Sequence, residues 1–273
     1  MDSRTRTLQM AADYVRQQTG GIIPEAGIVL GSGLGRLADQ IQNPVVIPYK
    51  DIPGFPVSTA IGHKGNFIIG QLGGKDVIAM QGRFHYYEGY PMELVTIGVR
   101  TMSVLGTKVL FVSNAAGACN PGFQMGDLVI IRDHISLFPN PLIGPNMDDF
   151  GPRFLDMTCA YDLGLQEIAE KCADEMGILL RKGVYLGSTG PTYETPAEVR
   201  FYRQVGADLL GMSTIPEVIV ARHCGIRCFG VSIITDLGGF DDPVEVSHEE
   251  VQMAANKAQP LMTELMREMI RRS

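Results

Sequence analysis

Six stretches of the chain carry side chains able to grip an oxyanion or a flat heterocycle. Gly31-Ser32-Gly33-Leu34-Gly35 directly follows an apolar run. Glycines let backbone N–H groups approach an anion, and Ser32 adds a hydroxyl donor. A dinucleotide fingerprint needs glycine at position 36, where Arg36 stands, and no Walker pattern occurs. The segment therefore reads either as an anion loop or as a plain tight turn. Gln81-Gly82-Arg83-Phe84-His85-Tyr86-Tyr87-Glu88-Gly89-Tyr90 follows another apolar run. Arg83 and His85 share a face of extended chain, and Arg offers the best donor fork for phosphate. The competing reading is a surface Arg amid packed aromatics. Ser113-Asn114-Ala115-Ala116-Gly117 ends a third run. Its small residues admit a flat ligand, or simply mark a strand-to-turn transition.

Gly190-Pro191-Thr192-Tyr193-Glu194-Thr195-Pro196-Ala197-Glu198 comes after a fourth run. Tyr193 can cover an aromatic ring and Glu194 can accept from ring N–H groups. Thr195, Pro196 and Glu198 have the spacing of a helix cap with a capping box, which leaves Tyr193 and Glu194 for a ligand. Gly211-Met212-Ser213-Thr214-Ile215-Pro216-Glu217 is a further strand-to-helix turn. Ser213 there is either an oxyanion donor at a helix N-terminus or an ordinary N-cap. Ile233-Ile234-Thr235-Asp236 ends a buried run, so Asp236 is a ligand group or a solvated turn residue. His248, further on, is a cap or a donor to a hydroxyl.

These groups are scattered over more than two hundred positions, so the fold must gather them. Strand-like runs occur at 27–30, 66–69, 76–80, 109–112, 128–131, 184–186, 209–212 and 227–234, several of them apolar throughout, as in strands buried on both faces. Helical patterns fall between them at about 4–18, 92–105, 161–176, 196–205, 215–224 and 248–271, the last opened by Ser247 or His248 with Glu249 and Glu250 in its first turn. The alternation predicts an α/β fold with a central mixed or parallel sheet flanked by helices. No linker or repeat divides the chain, so residues 1–273 read as one domain. The polar groups stand at strand ends, which in open α/β sheets converge on one crevice. Residues 136–156 form a long Pro/Gly/Asn-rich loop, a length uncommon unless functional or packed on a partner.

Composition removes other classes. Net charge is −7 with no Lys/Arg run, which argues against a nucleic-acid partner and requires any anion to be held locally. No apolar run is long enough to cross a membrane, and the N-terminal 18 residues read as an amphipathic helix without a signal peptide's apolar core. Five cysteines without framework spacing suit a reducing, cytoplasmic location. His223-Cys224-Gly225-Ile226-Arg227-Cys228 invites a metal, but no second ligand cluster accompanies it, so buried thiols beside a strand are expected.

Taken together, GSGLG, GHKG, QGRFHYYEGY, SNAAG, DLVIIRDHI, GPTYETPAE, GMSTIPEVIVARHCG, SIITD and SHEEV occur collinearly over nearly the whole chain. In this the chain resembles the trimeric purine nucleoside phosphorylase family, which includes methylthioadenosine phosphorylases. The resemblance implies a partly barrel-like sheet, a homotrimer, no metal or organic cofactor, and inorganic phosphate as co-substrate. By matching motif it implies that Ser32, His63, Arg83, Phe84, His85, Asn114, Ala115 through its backbone, and Ser213 bind phosphate. Tyr87, Met212 and His248 are implied at the ribose, together with Phe154 lent by a neighbouring subunit. Ala116, Gly117, Tyr193, Glu194 and Asp236 are implied at the base. His85, Glu194, Asp236 and His248 are the implied catalytic groups.

The base site departs from both branches of that family. Members specific for 6-oxopurines usually carry Asn where this chain has Asp236. Methylthioadenosine phosphorylases carry Asp there, with a small residue where this chain has Glu194. An ionised Glu194 accepts from N1–H of hypoxanthine or guanine but faces the bare N1 of adenine unfavourably. A protonated Asp236 can donate to N7 or O6, and a neighbouring carboxylate favours shared protons. The expectation is phosphorolysis of inosine, guanosine and their 2′-deoxy forms. A methylthioadenosine or broad 6-aminopurine phosphorylase is the alternative, and a non-catalytic purine- and phosphate-binding protein is the alternative from another class.

Overall fold

Strands form where the apolar runs predict them, and most extend further. A computed structural model describes residues 2–31, 35–237 and 247–273. In chain order it contains α1 (Ser3–Thr19), β1 (Ala26–Leu30), β2 (Gln42–Pro48), β3 (Asn66–Leu72), β4 (Lys75–Gln81), α2 (Met92–Val95), α3 (Ile97–Leu105), β5 (Val109–Ala118) and β6 (Leu128–Ser136). There follow α4 (Leu163–Met176), β7 (Leu180–Gly187), α5 (Pro196–Gln204), β8 (Leu209–Gly211), α6 (Ile215–His223), β9 (Arg227–Asp236) and α7 (His248–Arg272).

The sheet is mixed, with order β2-β3-β4-β1-β5-β8-β7-β6-β9, and β9 also pairs with β5. That extra pairing closes five strands into a ring, as the barrel-like expectation required. β1 is parallel to both β4 and β5, and β5 is parallel to β9. The register sets Leu30 beside Gln81 and Gly117 beside Asp236. Four of the predicted site segments therefore lie towards one end of the sheet. β8 is antiparallel to β5, with Leu210 opposite Gly117. Its exit, Met212-Ser213-Thr214, thus runs back alongside β5 to the level of Asn114, whose amide reaches Thr214.

Alternate residues of the central strands serve two cores. Val29, Leu110 and Val112 pack with α1, α3 and α6, whereas Ile28, Phe111 and Phe229 pack with α4 and α7. α5 covers a smaller patch of Leu186 and Leu210 through Val199 and Tyr202.

Two details differ from the expectations, and a third decides between two alternatives left open there. β2 was not anticipated: among the described residues it pairs only with β3, is largely exposed, holds Pro44, and shifts register between Gln42 and Val45. The helix expected over 92–105 breaks at Thr96, whose hydroxyl donates to the Met92 carbonyl at 2.8 Å. Ser247, and not His248, caps α7, with Glu250 completing a capping box. Pro260 lies within α7 without ending it.

Candidate active site

The anion side is built from the exits of β1, β4, β5 and β8. Gly31 can leave β1 only as glycine, since a Cβ there would lie 2.8 Å from the Ser113 carbonyl oxygen. Arg83, following β4, turns inward and is 1% exposed. Its Nη1 donates to Thr214 Oγ1 at 3.0 Å and to Glu217 Oε2 at 2.9 Å. Its Nη2 donates to the carbonyls of Val29, at 3.3 Å, and Ser113. The fork expected to face phosphate is thus spent on protein acceptors, and Nε–H is the donor left without a partner among the described residues. Glu217, 2% exposed, supplies the counter-charge. Burial pushes its carboxyl up, while Arg83 and the Thr214 N–H hold it down.

Two histidines flank this arginine. His63 Nδ1 lies 2.8 Å from the Arg83 backbone N–H, which can only donate, and 3.1 Å from the Arg83 carbonyl oxygen, which can only accept, so the two contacts belong to opposite tautomers of the ring. Burial, with the charges of His85 and Arg83, pulls the His63 pKa down to about 3, so that ring is neutral near pH 7. His85 Nδ1 lies 3.2 Å from Glu88 Oε1, and a carboxylate can only accept, so Nδ1 carries the proton and neutral Nε2 presents a lone pair. Burial lowers the His85 pKa and Glu88 raises it again. Glu88 also accepts from the Thr59 N–H at 2.7 Å and its hydroxyl at 2.6 Å. Burial opposes its ionisation, but these bonds from His85 and Thr59 bring the carboxyl down to about 2.

Ser213 and Thr214 complete this side. The helix N-cap is Thr214, not Ser213, which frees Ser213 from the capping alternative. Thr214 holds φ 72° and ψ −53°, a region that a β-branched residue avoids and that costs on the order of 1–3 kcal/mol. Its hydroxyl caps nothing; it meets Arg83, Asn114 Nδ2 at 2.9 Å and Ser213 Oγ at 3.1 Å. Met212 packs over Gly190. A small cleft beneath is lined by Phe84, His85, Met212, Ser213 and Glu217 among others.

The base side comes from β5, β9 and the turn after β7. Gly117 lies against Asp236 so closely that a Cβ would sit 2.7 Å from its Oδ1. Glu194 Oε1 accepts from Ser188 Oγ at 3.1 Å. Burial raises the Glu194 pKa, its hydrogen bonds lower it, and the charge of Asp236 raises it further. Tyr193, 42% exposed, lies within electrostatic reach of Asp236 and Glu194. Tyr87 joins the sides: its ring stacks on His85 at 4.7 Å, and its charge environment includes Arg83 and Tyr193. Burial pushes the Tyr87 phenol up to about 12, so it is a neutral donor. Ala116 is buried between these groups, and Ala115 is partly exposed beside them.

Phe154 is 90% exposed on the long loop. The expectations for Ser32 and for the His248 side chain lie outside the described residues. Thr195 and Glu198 form the predicted capping box and take no part in the site. His223 Nε2 meets Asn146 Oδ1 at 3.2 Å and Cys228 is buried, so this segment does not assemble a metal site. No group of His, Cys, Asp and Glu among the described residues does so. No helix among them is long and apolar enough to cross a membrane.

Four partners escaped the sequence reading: Glu88, Ser188, Thr214 and Glu217. Two had a local signal, since Glu88 lies three residues after His85 and Glu217 three after Thr214, the spacing of a reach-back carboxylate.

The Phosphorylase superfamily model matches residues 25–271. Purine nucleoside phosphorylase 1 of Bacillus subtilis (strain 168) is 54% identical over 253 residues, covering 92% of each chain. The chain belongs to the purine nucleoside phosphorylase family. A crystal structure of the Schistosoma mansoni purine nucleoside phosphorylase in complex with inosine superposes with TM-score 0.94 at 42% identity, over 98% of this chain and 96% of that one. A Schistosoma purine nucleoside phosphorylase in complex with guanosine gives 0.92 at 42% identity over 97% and 96%. The family expected from nine collinear motifs and the mixed, barrel-like fold both agree with these relatives.

Proposed function

We propose that the protein cleaves purine nucleosides with inorganic phosphate, yielding free base and ribose or deoxyribose 1-phosphate, with inosine and guanosine preferred. The observation that carries this reading is the two-sided crevice. Ser213 and His85 line a cleft on one side, Glu194 and Asp236 lie within electrostatic reach of each other on the other, and Tyr87 senses both Arg83 and Tyr193. Family relatives that hold inosine and guanosine support it.

A phosphate oxygen bonds to C1′ while the C1′–N9 bond breaks and its electron pair passes to the purine. Positive charge developing on the sugar faces the bound anion, and negative charge on the purine faces donors at the base. Holding both substrates removes much of the entropic barrier. His63 and Ser213 donate to the anion. His85 Nε2 accepts a phosphate hydroxyl, and Ser32, Asn114, Phe84 and the Ala115 backbone complete the site. Met212, His248 and Tyr87 contact the ribose. Glu194 accepts from purine N1–H, and Asp236 carries a proton to N7. The reaction calls for no organic cofactor.

Phe154, with Ile143 also exposed on the same loop, supports a homotrimer in which each copy lends this ring to its neighbour's sugar site. Five unpaired cysteines support a reducing cytoplasm.

A panel of inosine, guanosine, adenosine and methylthioadenosine, with and without phosphate, tests the reading. Base release is expected only with phosphate and fastest for the oxopurines. Faster methylthioadenosine turnover overturns the preference, release without phosphate indicates a hydrolase, and no release indicates a binding protein. Asp236→Asn should raise the inosine-to-adenosine ratio; an unchanged ratio removes Asp236 from selectivity.

A further inference from the structure

We infer that Thr214 is a positioning residue that fixes the Ser213 hydroxyl as a donor to the bound anion. The inference rests on the reading that Ser213 faces phosphate. A hydroxyl has two lone pairs and one proton. At Thr214 Oγ1 both lone pairs are taken, one by Arg83 Nη1 at 3.0 Å and one by Asn114 Nδ2 at 2.9 Å. Neither nitrogen can accept. The Thr214 proton is what remains, and Ser213 Oγ lies 3.1 Å away. Thr214 therefore donates and Ser213 accepts, which leaves the Ser213 proton for a ligand. Phosphate oxygens are overwhelmingly acceptors, so this polarity is the one that binds them.

The backbone explains why Thr214 is available. At φ 72° its side chain turns away from the helix it begins, so the hydroxyl makes no capping bond. Three residues on, the Glu217 carboxyl is held down by the Thr214 N–H. The same carboxylate neutralises Arg83. One turn of chain thus joins the buried arginine to the hydroxyl beside the anion. Glycine would adopt this φ freely but would bring no hydroxyl.

Steady-state phosphorolysis with phosphate and inosine varied separately tests this. Thr214→Val keeps shape and β-branching and removes the hydroxyl. It should raise KM for phosphate by about 10-fold or more, the scale of a hydrogen bond to a charged group, with KM for inosine little changed. Thr214→Ser should restore most of the loss. If Thr214→Val does not fold, Thr214→Gly relieves the backbone and should show the same phosphate defect. Added to Ser213→Ala, Thr214→Val should cost less than it does alone, because part of its action passes through Ser213. An unchanged phosphate KM in Thr214→Val and Thr214→Gly, with Ser213→Ala impaired, overturns the inference alone. Full additivity with Ser213→Ala also overturns it. An unchanged phosphate KM in Ser213→Ala overturns instead the placement of phosphate.

Discussion

Arg83, Asn114, Thr214 and Glu217 are all at most 2% exposed and bonded to one another across three strand exits and a helix. Across the crevice, Tyr193 is 42% exposed, and Glu194 has one side-chain partner of its own, Ser188. The anion side is a charge pair sunk into the core; the base side is a set of carboxylates on a partly open turn. Such a contrast fits the ligands. Phosphate is small, symmetric and always anionic, so a rigid donor set suits it. Purines differ at single positions, and discrimination there rests on few, individually decisive polar contacts. A practical rule follows: substitutions on the first side should register as stability, and on the second as selectivity.

The harshest test of that rule is Glu217→Leu. It strands the Arg83 charge in the core, a loss of about 3–5 kcal/mol, to be measured by urea unfolding; a loss under about 1 kcal/mol would erase the contrast. Next comes Glu194→Gln. It should lower kcat/KM for inosine about 10- to 100-fold with unfolding free energy changed by no more than about 0.5 kcal/mol. A large drop in stability would show that the base side is also structural. Acidification is the third. In the folded protein His63 titrates at about 3 against an ordinary 6.5, and Glu88 at about 2 against 4.5. Over both intervals the unfolded chain binds the proton and the folded chain does not. Stability should therefore be full above about pH 6.5 and fall progressively towards pH 2. In His63→Gln the slope between pH 6.5 and 4.5 should flatten; an unaltered slope would assign the acid loss elsewhere. Smallest is Thr195→Ala, which removes a helix cap beside the base site. About 1 kcal/mol of stability should go with phosphorolysis rates unchanged, and a changed inosine-to-adenosine ratio would bring the cap into the site.

Much of this architecture is legible in the sequence where local pattern decides it. The helices at 3–19, 163–176 and 248–272 follow from periodicity and caps, and the buried strands from apolar runs. β2 escapes because Pro44 and its exposed residues erase the alternation that marks a strand. The closure of β9 onto β5 is expected only through the family resemblance, because pairing between residues so far apart leaves no local trace. At the site, the motifs name the right segments but not the direction of each side chain. Arg83 sits among aromatics that suggest a surface group; its partner Glu217 is 134 residues away, and only the folded chain shows that its fork is used internally. Thr214 is the sharpest case, since a β-branched residue gives no warning of a left-handed backbone.

The weak outer strand has a consequence of its own. β2 ends the sheet, and an unpaired outer strand is where foreign chains add on and seed intermolecular β-structure. Pro44 offers no N–H, and the bulge after Gln42 throws the ladder out of step. The irregularity that hides this strand from sequence reading is also a safeguard against runaway stacking. It steers any self-assembly towards other surfaces.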